Sequence, residues 1–85
     1  MSVTVIYKPR AEHTRIVEEF LHDFEKRTGR TLDTSDPDTR EGAEICRLYD
    51  IVQYPSIVAT DTDGTMRSMW QGLPMPTIDE VSAYV

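Results

Sequence analysis

Asp50-Ile51-Val52-Gln53-Tyr54-Pro55-Ser56-Ile57-Val58-Ala59-Thr60 passes from the end of a helical pattern, through an X-Pro bond, into an apolar β-branched run. Proline lacks the N–H that a central ladder position needs, so Tyr54-Pro55 has to stand at the opening of a strand. Downstream, Asp61-Thr62-Asp63-Gly64 supplies turn chemistry and the chain returns as Thr65-Met66-Arg67-Ser68-Met69-Trp70, which predicts a hairpin. Period-two alternation sends Met66, Ser68 and Trp70 to one face of the returning strand and Arg67, Met69 and Gln71 to the other. Gly72, Pro74 and Pro76 then break the pattern. Thr77 followed by Glu80 reads as a capping box opening a short last helix, with Ile78, Val81, Tyr84 and Val85 turned inward.

Upstream of this stretch, Val3-Thr4-Val5-Ile6-Tyr7 is β-branched and aromatic, and Lys8-Pro9 ends it as a buried strand. From about Ala11 the period changes: Ile16, Val17, Phe20, Leu21 and Phe24 fall on one helical face, with Glu18, Glu19, Asp23, Glu25 and Lys26 outside. Gly29 stops that helix, and Lys26 and Arg27 suit the negative end of its dipole. Arg30 to Thr34 is a short strand with Leu32 as its only strongly apolar residue. Asp36 as N-cap and Pro37 at N1 predict a second helix to Tyr49, its inner face made of Ala43, Ile45, Cys46, Leu48 and Tyr49. Gly42 weakens the first half by about 1 kcal/mol of propensity, and a start near Thr39 or Glu41 is the alternative. The order is β-α-β-α-β-β-α. Right-handed crossovers predict three parallel strands, a fourth antiparallel at an edge, and helices on both faces of a mixed four-stranded sheet.

Eighty-five residues suit one small α/β domain spanning 1–85. A net charge of −6 argues against nucleic acid and anionic membrane as partners, since both would repel the chain. Arg10 with Arg15, and Lys26-Arg27 with Arg30, are the only basic groupings and read as solvated helix surface. No apolar run approaches the roughly 18 residues of a membrane span. The start carries no secretory pattern, so the cytoplasm is the expected location. Cys46 is the single cysteine, which excludes an intramolecular disulfide and C-x-x-C chemistry. His13, His22 and Cys46 lack the spacing of metal ligands, and no cofactor is expected. Asp61-x-Asp63-Gly64 is similar to the opening of a calcium loop, but Trp70 stands where that loop needs its glutamate.

Taken together, Tyr49-Asp50-Ile51-Val52-Gln53-Tyr54-Pro55-Ser56, the Asp63-Gly64 turn and Gly72 after the fourth strand resemble the thioredoxin-like superfamily over essentially the whole chain. The resemblance implies a cis Tyr54–Pro55 bond before the third strand, which the small trans preference of X-Pro bonds permits. It also implies a reactive dithiol over Ala11-Glu12-His13-Thr14, where this chain has no cysteine. A one-residue shift, using Arg10 and His13, restores none. Disulfide exchange needs a thiolate there, so the family's redox reaction is not inherited.

What the resemblance leaves is a groove in which the backbone of Tyr54 pairs with an extended peptide or a glutathione-like ligand. Ala11, Glu12, His13, Thr14, Pro55, Ser56, Gln71 and Gly72 would line it. The expectation is a redox-inactive binding module for a protein or extended peptide, with glutathione as another ligand. The alternative is an atypical thiol or glutathione-dependent oxidoreductase using Cys46 or the ligand's own thiol. A third reading is an assembly component that pairs through an exposed edge strand, and the oligomeric state is open. Cys46 on an apolar helical face reads most simply as a small buried hydrophobe. His13 stands where the family does its chemistry, as an exposed polar residue, a proton carrier or a recognition group, although the positive helix end disfavours an imidazolium. Glu12 and Thr14 equally suit local capping.

Overall fold

The computed structural model describes residues 1–85. The elements are β1 (Ser2–Ile6), α1 (Thr14–Thr28), β2 (Asp33–Ser35), α2 (Arg40–Leu48), β3 (Ser56–Thr60), β4 (Met66–Gln71) and α3 (Ile78–Ser82). They reproduce the predicted order. The sheet runs β2-β1-β3-β4, with β1 and β2 parallel and β3 and β4 antiparallel.

The expectation of three parallel strands is overturned, because β3 lies antiparallel to β1, with Ser56 opposite Ile6 and Thr60 opposite Ser2. After α2 the chain turns at Asp50, whose φ is +56°, and Ile51 N–H bonds back to the Cys46 carbonyl at 2.8 Å. It then climbs to the end of β1 at which α1 begins, so β3 starts where β1 finishes. The crossover rule governs strands that restart from the opposite end, which β3 does not.

Helix boundaries moved for local reasons. α1 opens at Thr14 rather than Ala11, because the Thr14 hydroxyl accepts from Ala11 N–H at 2.8 Å and donates to the Lys8 carbonyl at 2.6 Å, holding the preceding residues in a turn. It ends as predicted at Gly29, φ +73°, whose N–H reaches the Glu25 carbonyl at 2.8 Å. The N-cap of α2 is Thr39, its side chain accepting from Gly42 N–H at 3.1 Å, whereas the Asp36 carboxylate accepts from Asp38 N–H at 2.9 Å within the turn before it. Gly42 therefore marks a close approach and not a weak helix: a Cβ there would run into the Asp36 backbone carbonyl. The Thr77–Glu80 capping box forms as read, with both reciprocal bonds made.

The two sheet faces alternate along β1. Val3 and Val5 join Ile57 and Ala59 beneath Val17 and Phe24 of α1 and Val81 of α3. Ile6 points the other way and packs with Cys46 of α2 and Ile51. Trp70 and Met69 separate between these faces as alternation requires, and Trp70 stacks edge-on against Tyr84 at 5.7 Å. Two residues on the predicted inner helix faces, Ile16 and Leu48, are exposed instead. In the hairpin, the register slips between Ala59 and Thr60, which leaves Arg67 opposite no partner and 3.3 Å from Asp61.

Candidate functional site

Three segments meet where β1 ends and β3 begins. One is the turn Lys8–Thr14. There Thr14 closes the chain on itself, and the His13 ring adds a second tie, its Nε2 accepting from Lys8 N–H at 3.1 Å. Accepting at Nε2 requires an imidazole with no proton on that nitrogen. Of the four residues in this wall, Ala11, His13 and Thr14 are thus engaged with the turn itself, and Glu12 is exposed.

The second segment is Val52 to Ser56. Pro55 and Ser56 are buried, and the Ser56 hydroxyl donates to the Gln53 carbonyl at 2.6 Å, which sets the bend just before β3. The Pro55 carbonyl accepts from Gly72 N–H at 2.8 Å. The Tyr54–Pro55 and Leu73–Pro74 bonds are both cis. Tyr54 itself is different: its backbone N–H and C=O have no hydrogen-bond partner in the protein.

Gln71, Gly72 and Leu73 form the third segment. Gln71 reaches Val52 N–H through its side-chain oxygen at 3.2 Å, and the Gln53 side chain lies over Gly72, whose φ of +76° excludes most other residues. Val52 of the second segment and Leu73 of the third are exposed, at 73% and 50%. Neither is marked by the sequence. Exposure of an apolar residue beside a turn has no periodic signature, so no pattern pointed to them.

Behind Tyr54 sits the single thiol. Cys46 is buried, and the Tyr54 hydroxyl points at its sulfur across 3.9 Å. The Lys8 ammonium lies 5.4 Å over the Tyr54 ring and 4.0 Å from Asp38. Burial pushes the Tyr54 phenol above its ordinary value, with the contact to Cys46, the charge of a Cys46 thiolate and that of Asp38 adding to it. Tyr54 and Cys46 are thereby brought together, while Cys46 and the Ala11–Thr14 turn stay on separate elements. Neither concavity of the molecule lies here. One, of about 390 Å³, runs between the start of β1 and the Gly29–Leu32 turn, and the other lies along the charged outer face of α1 near Arg15 and His22. No group of three or more histidine, cysteine or acidic side chains is arranged to hold a metal.

No known family model matches the chain, and no curated protein does. Among solved structures it is similar to thioredoxin 1 from the thermophilic eubacterium Thermosipho africanus TCF52B, at 11% identity and a TM-score of 0.66, over 99% of this chain and 89% of that one. The fold is thioredoxin-like. On a thioredoxin-like frame this chain carries one cysteine, on α2, and none before α1. No helix is long and apolar enough to cross a membrane.

Proposed function

We propose that the chain is a redox-inactive thioredoxin-like binding module that takes an extended peptide, or such a segment of a protein partner, against the backbone of Tyr54. The observation that carries this reading is the unpaired N–H and C=O of Tyr54, flanked by the bonded Pro55 and by exposed Val52 and Leu73. A backbone donor and acceptor side by side suit another extended chain, which gains main-chain bonds from the pair and selects side chains on its neighbours. The absence of an enclosing pocket at this face also favours an extended chain over a small molecule. Pro55, Ser56, Gln71 and Gly72 shape the floor in this reading, and Ala11, Glu12, His13 and Thr14 form the opposite wall. Redox inactivity is supported by the missing dithiol and by the burial of Cys46.

Titration with extended peptides, with glutathione and with candidate partner proteins, followed by amide chemical shifts, tests it. Shifts are expected at Tyr54, Ser56 and Gly72. Amides that stay unmoved at all three positions in every titration would end the reading.

A second reading, a thiol or glutathione-dependent oxidoreductase, draws on the Tyr54 hydroxyl placed against the Cys46 sulfur. Reaction of the thiol in the folded protein, with a thiol pKa below neutrality, would favour it over the first.

A further inference from the structure

Lys8 is the residue at which the two walls are tied together. Its carbonyl accepts from the Thr14 hydroxyl at 2.6 Å, its N–H donates to His13 Nε2 at 3.1 Å, and its ammonium lies 5.4 Å over the Tyr54 ring. Two side chains therefore fold the turn back onto Lys8, and only one of them can change charge. We propose that the His13–Lys8 hydrogen bond is a proton-operated latch, closed while the imidazole is neutral and opened when Nε2 takes up a proton.

The chemistry is a clash of donors. A proton on Nε2 converts the acceptor into a second N–H, which then faces the Lys8 N–H, and that amide has no other partner in the protein. The Thr14 bonds to Ala11 and Lys8 do not titrate and keep the turn from unravelling. The charged and titratable groups on the segments that meet at this turn come from several elements. Arg10, Glu12 and Arg15 belong to the turn itself and the first turn of α1, and the Lys8 ammonium comes from the end of β1. Beyond it lie Asp38, from the turn before α2, and the Tyr54 phenol. His13 is the N-cap residue of α1, so the positive end of that helix adds repulsion once the ring is charged. This latch belongs to the free protein and stands whether or not Tyr54 binds a peptide.

The test follows the His13 ring nitrogens and the protection factor of the Lys8 amide by NMR between about pH 8 and pH 5, the span in which imidazoles in general change charge. Lys8 protection is expected to fall by about fivefold, the weight of one net amide hydrogen bond, with a midpoint equal to that of the ring. His13→Gln keeps an acceptor oxygen near the Nε2 position and should hold Lys8 protected across the whole range. His13→Leu should leave it unprotected throughout. A ring that titrates while Lys8 protection stays constant overturns the latch, as does a His13→Gln variant with the wild-type pH dependence. Because the wild-type titration decides the matter alone, a variant that folds poorly does not rescue the idea.

Discussion

On one face of the sheet α1 and α3 contribute Val17, Phe24 and Val81 to a cluster of seven buried residues, whereas on the other α2 contributes only Cys46 to a cluster of three with Ile6 and Ile51. The first face is continuous apolar packing from Val3 through Ala59. The second is thin, and its surroundings are polar: Tyr54 against Cys46, Lys8 over Tyr54, and the Asp36–Thr39 turn against Gly42. Packing density and candidate function are thus divided between the faces. The thick side holds the strands in place, and on the thin side the backbone N–H and C=O of Tyr54 have no partner in the protein.

The sharpest way to break this contrast is to remove one large side chain from each face. Phe24→Ala should destabilise the protein by about 4 kcal/mol and Ile51→Ala by about 2–3 kcal/mol, measured from urea unfolding midpoints at constant slope. Equal losses, or a larger one at Ile51, would show that the α2 face carries as much of the core as the other.

Next in size is Gly42→Ala. In an ordinary exposed helix that change gains about 1 kcal/mol. Here the added methyl would meet the Asp36 carbonyl, so a loss of about 2–3 kcal/mol is expected in the same unfolding experiment. A gain would mean that α2 can slide from the Asp36–Thr39 turn at no cost, and that the thin face is looser than its contacts suggest.

These two residues also mark what could be read before the structure. Phe24 belongs to a five-residue helical pattern, and burial of Val17 and Phe24 followed from period alone. The hairpin, the Gly29 stop and the Thr77–Glu80 box were equally legible, because each is a local bond between near neighbours. Gly42 was not. Its requirement comes from Asp36, a residue outside the helix, and sequence counts only its low propensity. The direction of β3 is not legible for a similar reason: the return from Asp50 to Tyr54 depends on where a short irregular segment travels, which neither period nor composition encodes. At the candidate site, residue types were legible and partnerships were not. Thr14 as a tie to Lys8 and Ala11, and His13 as an acceptor for Lys8, rest on a turn that has no repeating pattern.

A smaller effect tests the link between the thin face and the thiol. In the folded protein Cys46 should react with DTNB only as fast as the protein opens, and promptly in denaturant, since it is buried on the inner side of α2 among Ile6, Ile51 and Tyr54. Tyr54→Phe removes the hydroxyl and keeps the ring under Lys8, so stability should change by no more than about 1 kcal/mol. The thiol should stay shielded. Prompt reaction in this variant would mean that the hydroxyl, rather than packing, protects the sulfur.

The smallest effect belongs to the thick face and reads its edge. Glu80 accepts from Thr77 N–H at 3.0 Å, and that bond, with a further one from the Thr77 hydroxyl, holds its carboxyl below the usual range. Asp63 is held down in the same direction by Thr65 N–H, in the hairpin turn. A carboxylate whose value is lowered on folding stabilises the folded state fully above its unfolded value, near 4.3 for Glu. That contribution is lost as the pH falls through the lower folded value. Acidification should therefore loosen the start of α3 before it disturbs Val81, which belongs to the same buried cluster as Val5 and Phe24. Amide exchange at Thr77 and Glu80, compared between wild type and Glu80→Gln, checks this. The variant keeps an acceptor oxygen and should lose the pH dependence, and if it titrates like wild type the carboxylate is not what holds the cap.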